Sequence, residues 1–206
     1  MFTGIVLGTG RVRSISKSGK SAYLGIDEGK IARKLKVSNS VSVNGVCLTV
    51  VAKRGSVFEV QAVEETLKKT NLGDLEVGHI TNLELPLRAM DPLGGHFVLG
   101  HIDAAGRVDR IRPLKKSWMF RIKYPKKFKR YLVPTGSIAI DGVSLTIADL
   151  NRQAMEIAII PHTMKKTNFQ VRKPGDRVNL EFDVIGKFVD TILQETRKKK
   201  FVRNSR

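Results

Sequence analysis

The sequence predicts an all-β fold: two homologous β-barrels in tandem, followed by one C-terminal α-helix. Three observations carry that expectation. The chain repeats itself at an offset of 97 residues. Short runs alternate apolar and polar residues and stop at turn signals. Beyond residue 183 the apolar residues switch to helical spacing.

The repeat fixes the domain plan. Ser40-Val41-Ser42-Val43-Asn44-Gly45-Val46-Cys47-Leu48-Thr49-Val50 overlays Ser137-Ile138-Ala139-Ile140-Asp141-Gly142-Val143-Ser144-Leu145-Thr146-Ile147. Thr66-Leu67-Lys68-Lys69-Thr70-Asn71-Leu72 overlays Thr163-Met164-Lys165-Lys166-Thr167-Asn168-Phe169. Gly78 and Asn82-Leu83-Glu84 overlay Gly175 and Asn179-Leu180-Glu181. With one residue of slip, Gly4 and Gly10-Arg11-Val12 match Gly100 and Gly106-Arg107-Val108. Convergent strand-and-turn patterning would reproduce the alternation but not the Lys-Lys-Thr-Asn block. The first domain therefore runs from Met1 to Pro86. Residues 87–95, with Pro92 and Gly94-Gly95 as breakers, form a linker. The second domain runs from His96 to Asp183, and residues 184–206 form a tail.

Within each domain the pattern is that of strands. Val41 to Val43 alternates and meets the Asn44-Gly45 turn signal, and Val46 to Val51 follows. Asp141-Gly142 repeats this turn in the second half. Phe58 to Gln61 and Met155 to Ala158 are further short strands. Lys30–Lys36 and Lys126–Leu132 fit one or two helical turns, with Ile31/Leu35 and Phe128/Leu132 four apart. Many short strands with one small helix per half point to a closed barrel in each repeat. In the tail, Ile185, Phe188, Val189, Ile192 and Leu193 make one apolar stripe, which folds back on the domain or meets other subunits. Lys198 to Arg206 read as a solvated, frayed end.

Composition narrows the function classes. Apolar runs are too short to span a bilayer as a helix. The opening residues carry no basic lead and no small-residue cleavage site, so no signal peptide is expected. With one cysteine, Cys47, no internal disulfide can form, and the expected compartment is a reducing cytoplasm. The net charge of +18 is spread along the chain, which reads as a solvated basic surface rather than a nucleic-acid footprint. Aromatics are 6% of the chain, few for the stacking surface of a single-strand binder. There is no P-loop, and Gly8-Thr9-Gly10 lacks the third glycine of a dinucleotide fingerprint. His79, His96, His101 and His162 are scattered, with no metal-ligand spacing.

The mismatches between repeats say more than the matches. Cys47 stands opposite Ser144, Asn44 opposite Asp141, Ile5 opposite His101, and Glu65 opposite His162. The second domain thus holds an acid, a hydroxyl and two imidazoles where the first does not. Two related pockets with divided roles fit this pattern. From the residues alone, the reading is a ligand-binding tandem barrel.

Met1-Phe2-Thr3-Gly4-Ile5-Val6, Val43 to Val50, Gly94-Gly95-His96-Phe97-Val98-Leu99-Gly100-His101, Ile140 to Thr146 and Ile160-Pro161-His162-Thr163 resemble riboflavin synthases, from Met1 to about Leu193. The resemblance implies two six-stranded Greek-key barrels per chain and a homotrimer held by the C-terminal helix. It implies conversion of two 6,7-dimethyl-8-ribityllumazine molecules into riboflavin and 5-amino-6-(ribitylamino)uracil, with no metal or redox cofactor. The site would form between the first barrel of one subunit and the second barrel of another. Lumazine synthase is a candidate partner. Membrane and nucleic-acid partners are not expected.

By this resemblance, Gly4-Ile5-Val6, Cys47-Leu48-Thr49 and Gln61-Ala62-Val63-Glu64-Glu65-Thr66 line the first pocket. His101-Ile102-Asp103, Ser144-Leu145-Thr146 and Ile159-Ile160-Pro161-His162-Thr163-Met164 line the second. His101 and Thr146 would assist removal of a methyl proton. Ser40, Cys47 and Ser144 would bind or activate ring atoms. Asp141 and Asp183 would hold the constellation or shuttle protons, although Asp before Gly is also a turn residue that accepts backbone N–H bonds. Many members carry lysine where this chain has Thr135, a position expected to contact ligand. The rival readings are a non-catalytic lumazine- or flavin-binding protein and a basic barrel that binds nucleic acid.

Overall fold

The computed structural model describes the backbone of residues 1–204 and the side chains of residues 1–196. Alternation inside and outside a curved sheet accounts for most of it. In β4 (Val46–Arg54), Val46, Leu48 and Val50 point inward and are buried, while Cys47 and Thr49 point outward. The same rule orders β1 (Gly8–Ser18), β2 (Ser21–Asp27), β3 (Ser40–Val43), β5 (Val57–Ala62) and β6 (Ile80–Glu84) into a closed antiparallel barrel, β1-β2-β5-β4-β3-β6. Its counterpart closes from β7 (Ala104–Pro113), β8 (Trp118–Lys123), β9 (Ser137–Ile140), β10 (Val143–Leu150), β11 (Ala154–Ile159) and β12 (Arg177–Phe182). Register breaks recur at equivalent places, Val12/Ser14 with Val108/Arg110 and Val50/Ala52 with Ile147/Asp149. Each break bends its strand and helps the sheet close.

The helical content exceeds one small helix per half. The expected turns are there, as α1 (Gly29–Lys34) and a 3₁₀ turn at Lys126–Tyr131. In addition, α2 (Glu64–Lys69) and α3 (Pro161–Lys166) each lead into a 3₁₀ turn, Asn71–Asp74 and Asn168–Val171. Neither α2 nor α3 buries a residue, so no apolar stripe announces them. Glu64 and Glu65 in the first turn and Lys68 and Lys69 in the last match the dipole of α2.

The two barrels meet over a buried polar network. Asn82 Oδ1 accepts from the Asn168 backbone N–H at 2.6 Å, and Asn179 Oδ1 accepts from that of Asn71 at 2.7 Å. Asn82 Nδ2 donates to the Asp141 carbonyl and Asn179 Nδ2 to the Asn44 carbonyl. All six polar residues of this network are buried. The repeated Thr-Asn pair is now explained: Thr70 and Thr167 cap the 3₁₀ turns, and Asn71 and Asn168 cross to the other barrel.

The tail is helix α4 (Val184–Asn204). It docks on the second barrel through polar contacts, Lys187 to Asp103 at 2.6 Å and Arg130 to Asp190 at 3.3 Å. Its apolar residues Ile185, Phe188, Val189, Ile192 and Leu193 stay exposed. The side chains of the basic end, Lys198–Arg206, lie outside the described residues. No helix among the described residues is long and apolar enough to cross a membrane.

Candidate active site

Each barrel offers one outward-facing row of small polar side chains on its central hairpin. On the first barrel, Ser40 pairs with Thr49 and Ser42 with Cys47. On the second, Ser137 pairs with Thr146 and Ala139 with Ser144. Thr49 and Thr146 are exposed, while Ser40, Cys47 and Ser144 are half-buried.

An extended arm covers part of each row, and the arms are exchanged between barrels. The Ser144 backbone N–H donates to the Gly4 carbonyl at 2.8 Å, and that of Cys47 donates to the Gly100 carbonyl at 2.9 Å. The arms pair with each other through Phe2 and Val98. Phe2, Val98 and Ala139 form a small core of their own, with Cys47 packed on it. Val6 packs against the core of the second barrel, and Ile102 belongs to the core of the first. This corrects the grouping expected from sequence order. Gly4-Ile5-Val6 goes with Ser144, Leu145 and Thr146, and His101-Ile102 goes with Cys47, Leu48 and Thr49.

Each arm is gripped by a glutamate at the end of its own barrel. Glu84 accepts from the Thr3 backbone N–H at 2.6 Å, the Thr3 hydroxyl at 2.7 Å and the Gly4 N–H at 3.1 Å. Glu181 accepts from the N–H groups of Leu99 at 2.6 Å and Gly100 at 2.9 Å. Burial raises the carboxyl pKa of Glu84 against the pull of these bonds, and pushes that of Glu181 up to about 7. Sequence reading did not single out either glutamate, although the repeat contained both.

The structure separates the other expected residues. Asp141 is fully buried in the network between barrels. Its carboxylate accepts from Asn179 N–H, Asn71 Nδ2, Asn168 Nδ2 and Arg172 Nε, all within 3.0 Å. Asp183 accepts from the Ile185 N–H at 3.0 Å and caps α4. Asp103 accepts from the Phe182 N–H and pairs with Lys187. His101 is exposed, as are Gln61, Val63 and Glu65 beside the first row and Ile160, Pro161 and His162 beside the second. Glu64, Thr66, Thr163 and Met164 are half-buried on α2 and α3, and Ala62 and Ile159 point into the cores. Thr135 is exposed in a turn at φ +61°.

His96 is the other residue that sequence reading left without a role. It is buried, and its Nδ1 lies 2.8 Å from Ser144 Oγ. Burial pushes its imidazole below the usual histidine range, against the opposing pull of Asp183. The Gly-Gly pair ahead of it was the available signal: a Cβ on Gly95 would stand 2.1 Å from the Thr3 carbonyl.

The geometry thus offers two equivalent, non-identical faces, each crossed by an arm from the other repeat. Known proteins agree. The lumazine-binding domain model matches this chain twice, over residues 3–86 and 99–183. The riboflavin synthase of Actinobacillus pleuropneumoniae is 41% identical over 94% of this chain and 90% of its own. That of Bacillus subtilis is 38% identical over 97% and 93%. Among solved structures, LumP complexed with riboflavin is 30% identical and superposes with a TM-score of 0.83, covering 88% of this chain and 99% of that one. LumP complexed with 6,7-dimethyl-8-(1'-D-ribityl) lumazine superposes with a TM-score of 0.81. With both of its barrels matched and nearly its whole length shared, the chain belongs to the riboflavin synthase family of tandem lumazine-binding domains.

Proposed function

We propose that this chain catalyses the dismutation of two 6,7-dimethyl-8-ribityllumazine molecules, one giving up a four-carbon unit and the other receiving it. The products are riboflavin and 5-amino-6-(ribitylamino)uracil. The observation that carries the reading is the pair of equivalent faces that differ at Cys47/Ser144 and Ile5/His101. One ligand type then binds twice, and the differences assign donor and acceptor.

The exchanged arms bear on how the site is completed. His101 lies with the first face and Thr146 with the second, yet both are proposed to act on one methyl group. Equivalent positions of the two repeats meet in the Phe2–Val98 pairing and in the close approach of Gly45 to Gly142, so protein packs where the repeats join. A second copy of the chain, presenting its other face, brings His101 and Thr146 together. The homotrimer supplies such copies, and the exposed stripe on α4 supplies the contact.

In that arrangement the protein's share is orientation and proton handling. Backbone groups of the arms and of Gln61–Thr66 and Ile159–Met164 hold two rings face to face. His101 and Thr146 assist removal of the methyl proton, while Ser40, Cys47 and Ser144 meet ring atoms. Incubation of the purified protein with 6,7-dimethyl-8-ribityllumazine is expected to produce riboflavin, followed by its fluorescence. Tight binding without turnover would instead make the chain a lumazine carrier.

A further inference from the structure

His101 stands in the middle of the second arm, and the arm is pinned on both sides of it. Ahead of it, the N–H groups of Leu99 and Gly100 donate to Glu181, and the Gly100 carbonyl accepts from the Cys47 N–H at 2.9 Å. Behind it, Ile102 is buried in the core of the first barrel. The Asp103 N–H then donates to the Leu180 carbonyl at 2.9 Å. One carboxylate oxygen of Asp103, Oδ2, accepts from the Phe182 N–H at 2.9 Å and has Lys187 Nζ at 2.6 Å. Lys187 lies one turn into α4, so a single oxygen joins the arm, the end of β12 and the tail helix.

The first arm cannot make this tie. With Gly4 laid on Gly100, Leu7 falls at Asp103, and an aliphatic side chain accepts no hydrogen bond. Strand β6 also runs into the linker, whereas β12 runs into α4. The extra anchor therefore belongs to the arm that carries an imidazole, not to the arm that carries Ile5. Lys187 and Asp103 are only 25% and 19% exposed, so salt screens the pair less than it would a surface pair. An extended arm places its exposed side chain through its backbone alone, and small displacements of a reacting group are costly.

We propose that Lys187 is a positioning residue: through Asp103, the tail helix sets where the second arm holds His101. This rests on the reading that His101 takes part in riboflavin formation. The two sides of α4 then have separate tasks. The apolar stripe is left for association, and Lys187 on the polar side fixes the arm.

Two measurements test this, one in turnover and one without it. Lys187→Met is expected to sediment as the parent does and to lower kcat about tenfold, the scale of one charge-assisted hydrogen bond. KM should stay within about twofold, since placement of the proton acceptor and not ring binding is lost. Lys187→Arg, which keeps a cation for Asp103, should recover kcat to within about threefold of the parent. Lys187→Met/Asp103→Asn should be no slower than Asp103→Asn alone, because both changes break one contact. Independently of turnover, alkylation of Cys47, on which Gly100 packs, should run at least about threefold faster in Lys187→Met as the arm opens locally, and at the parent's rate in Lys187→Arg. A Lys187→Met protein with the parent's kcat overturns the proposal. So does a slow variant whose Cys47 reacts at the parent's rate, since Lys187 would then act without moving the arm. A changed oligomeric state in Lys187→Met would assign the residue to assembly and overturn it too. A parent protein that makes no riboflavin, with faster Cys47 alkylation in Lys187→Met, would sink the functional reading and leave the anchor standing.

Discussion

A methyl group on Gly100 would stand 2.5 Å from the Cys47 Cβ, and one on Gly4 would stand 2.6 Å from the Ser144 Cβ. Both glycines also sit at positive φ, +83° and +78°, where an L side chain adds strain. Each contact joins an arm to the opposite barrel, so each substitution should damage the face of the other repeat. The single thiol reports which. Gly100→Ala should lift its arm and speed alkylation of Cys47, whereas Gly4→Ala should leave that rate near the parent's. Equal acceleration in both variants would refute the exchange. The glutamate clamps carry a pH signature. A buried carboxyl whose folded pKa is raised binds its proton more tightly folded than unfolded. Glu181 therefore contributes stability below its ordinary value near 4.5, and loses it as pH rises through about 7. Glu181→Gln removes that titration, so the melting-temperature difference between parent and variant should shift against the parent from pH 5 to pH 8. A constant difference would show that Glu181 titrates normally.

Between elements, the buried network is symmetric except where the second repeat introduces charge. Asp141 and Arg172 occupy the places of Asn44 and Leu75. Asp141→Asn leaves Arg172, only 16% exposed, without its partner, and should cost about 3 kcal/mol. The pair Asp141→Asn/Arg172→Leu restores the first repeat's chemistry and should recover all but about 1 kcal/mol, because a buried ion pair replaced as a unit is nearly neutral. Urea midpoints at constant slope measure both; a double variant no better than the single would mean the charge pair has a role its counterpart lacks. At this scale the sequence was readable where periodicity existed. The Asn44-Gly45 and Asp141-Gly142 hairpins and the Cys47 and Ser144 rows follow from alternation. The exchange of arms did not, because Thr3–Leu7 and Leu99–Asp103 have no regular hydrogen-bond pattern. Two homologous barrels also offer each arm nearly the same seat, so local sequence cannot say which it takes. Asp141 shows the complementary limit: its type was legible, but its four donors come from residues 27 or more positions away, beyond any local pattern.

For the molecule as a whole, the decisive surface is the outer side of α4. Its polar side is already used, by Lys187 against Asp103 and Arg130 against Asp190. Five large apolar side chains remain between 50% and 65% exposed on one helix, a continuous patch of the kind that marks an association site. The faces impose the same need from the other direction, since His101 and Thr146 are open to solvent and belong to different barrels. If one helix contact serves both needs, assembly and turnover must fail together. Ile192→Glu places a charge in the stripe without touching either face, so the barrels should stay folded. Sedimentation should then show a monomer for the variant and, on the proposed assembly, a trimer for the parent. Riboflavin formation should fall by at least about a hundredfold, on the scale of misplacing reacting groups by an ångström or more. Lumazine binding to single faces should persist, weaker for want of the second wall. A monomeric variant with the parent's kcat would mean that one chain completes the site by itself, and the second copy would have no part in the chemistry.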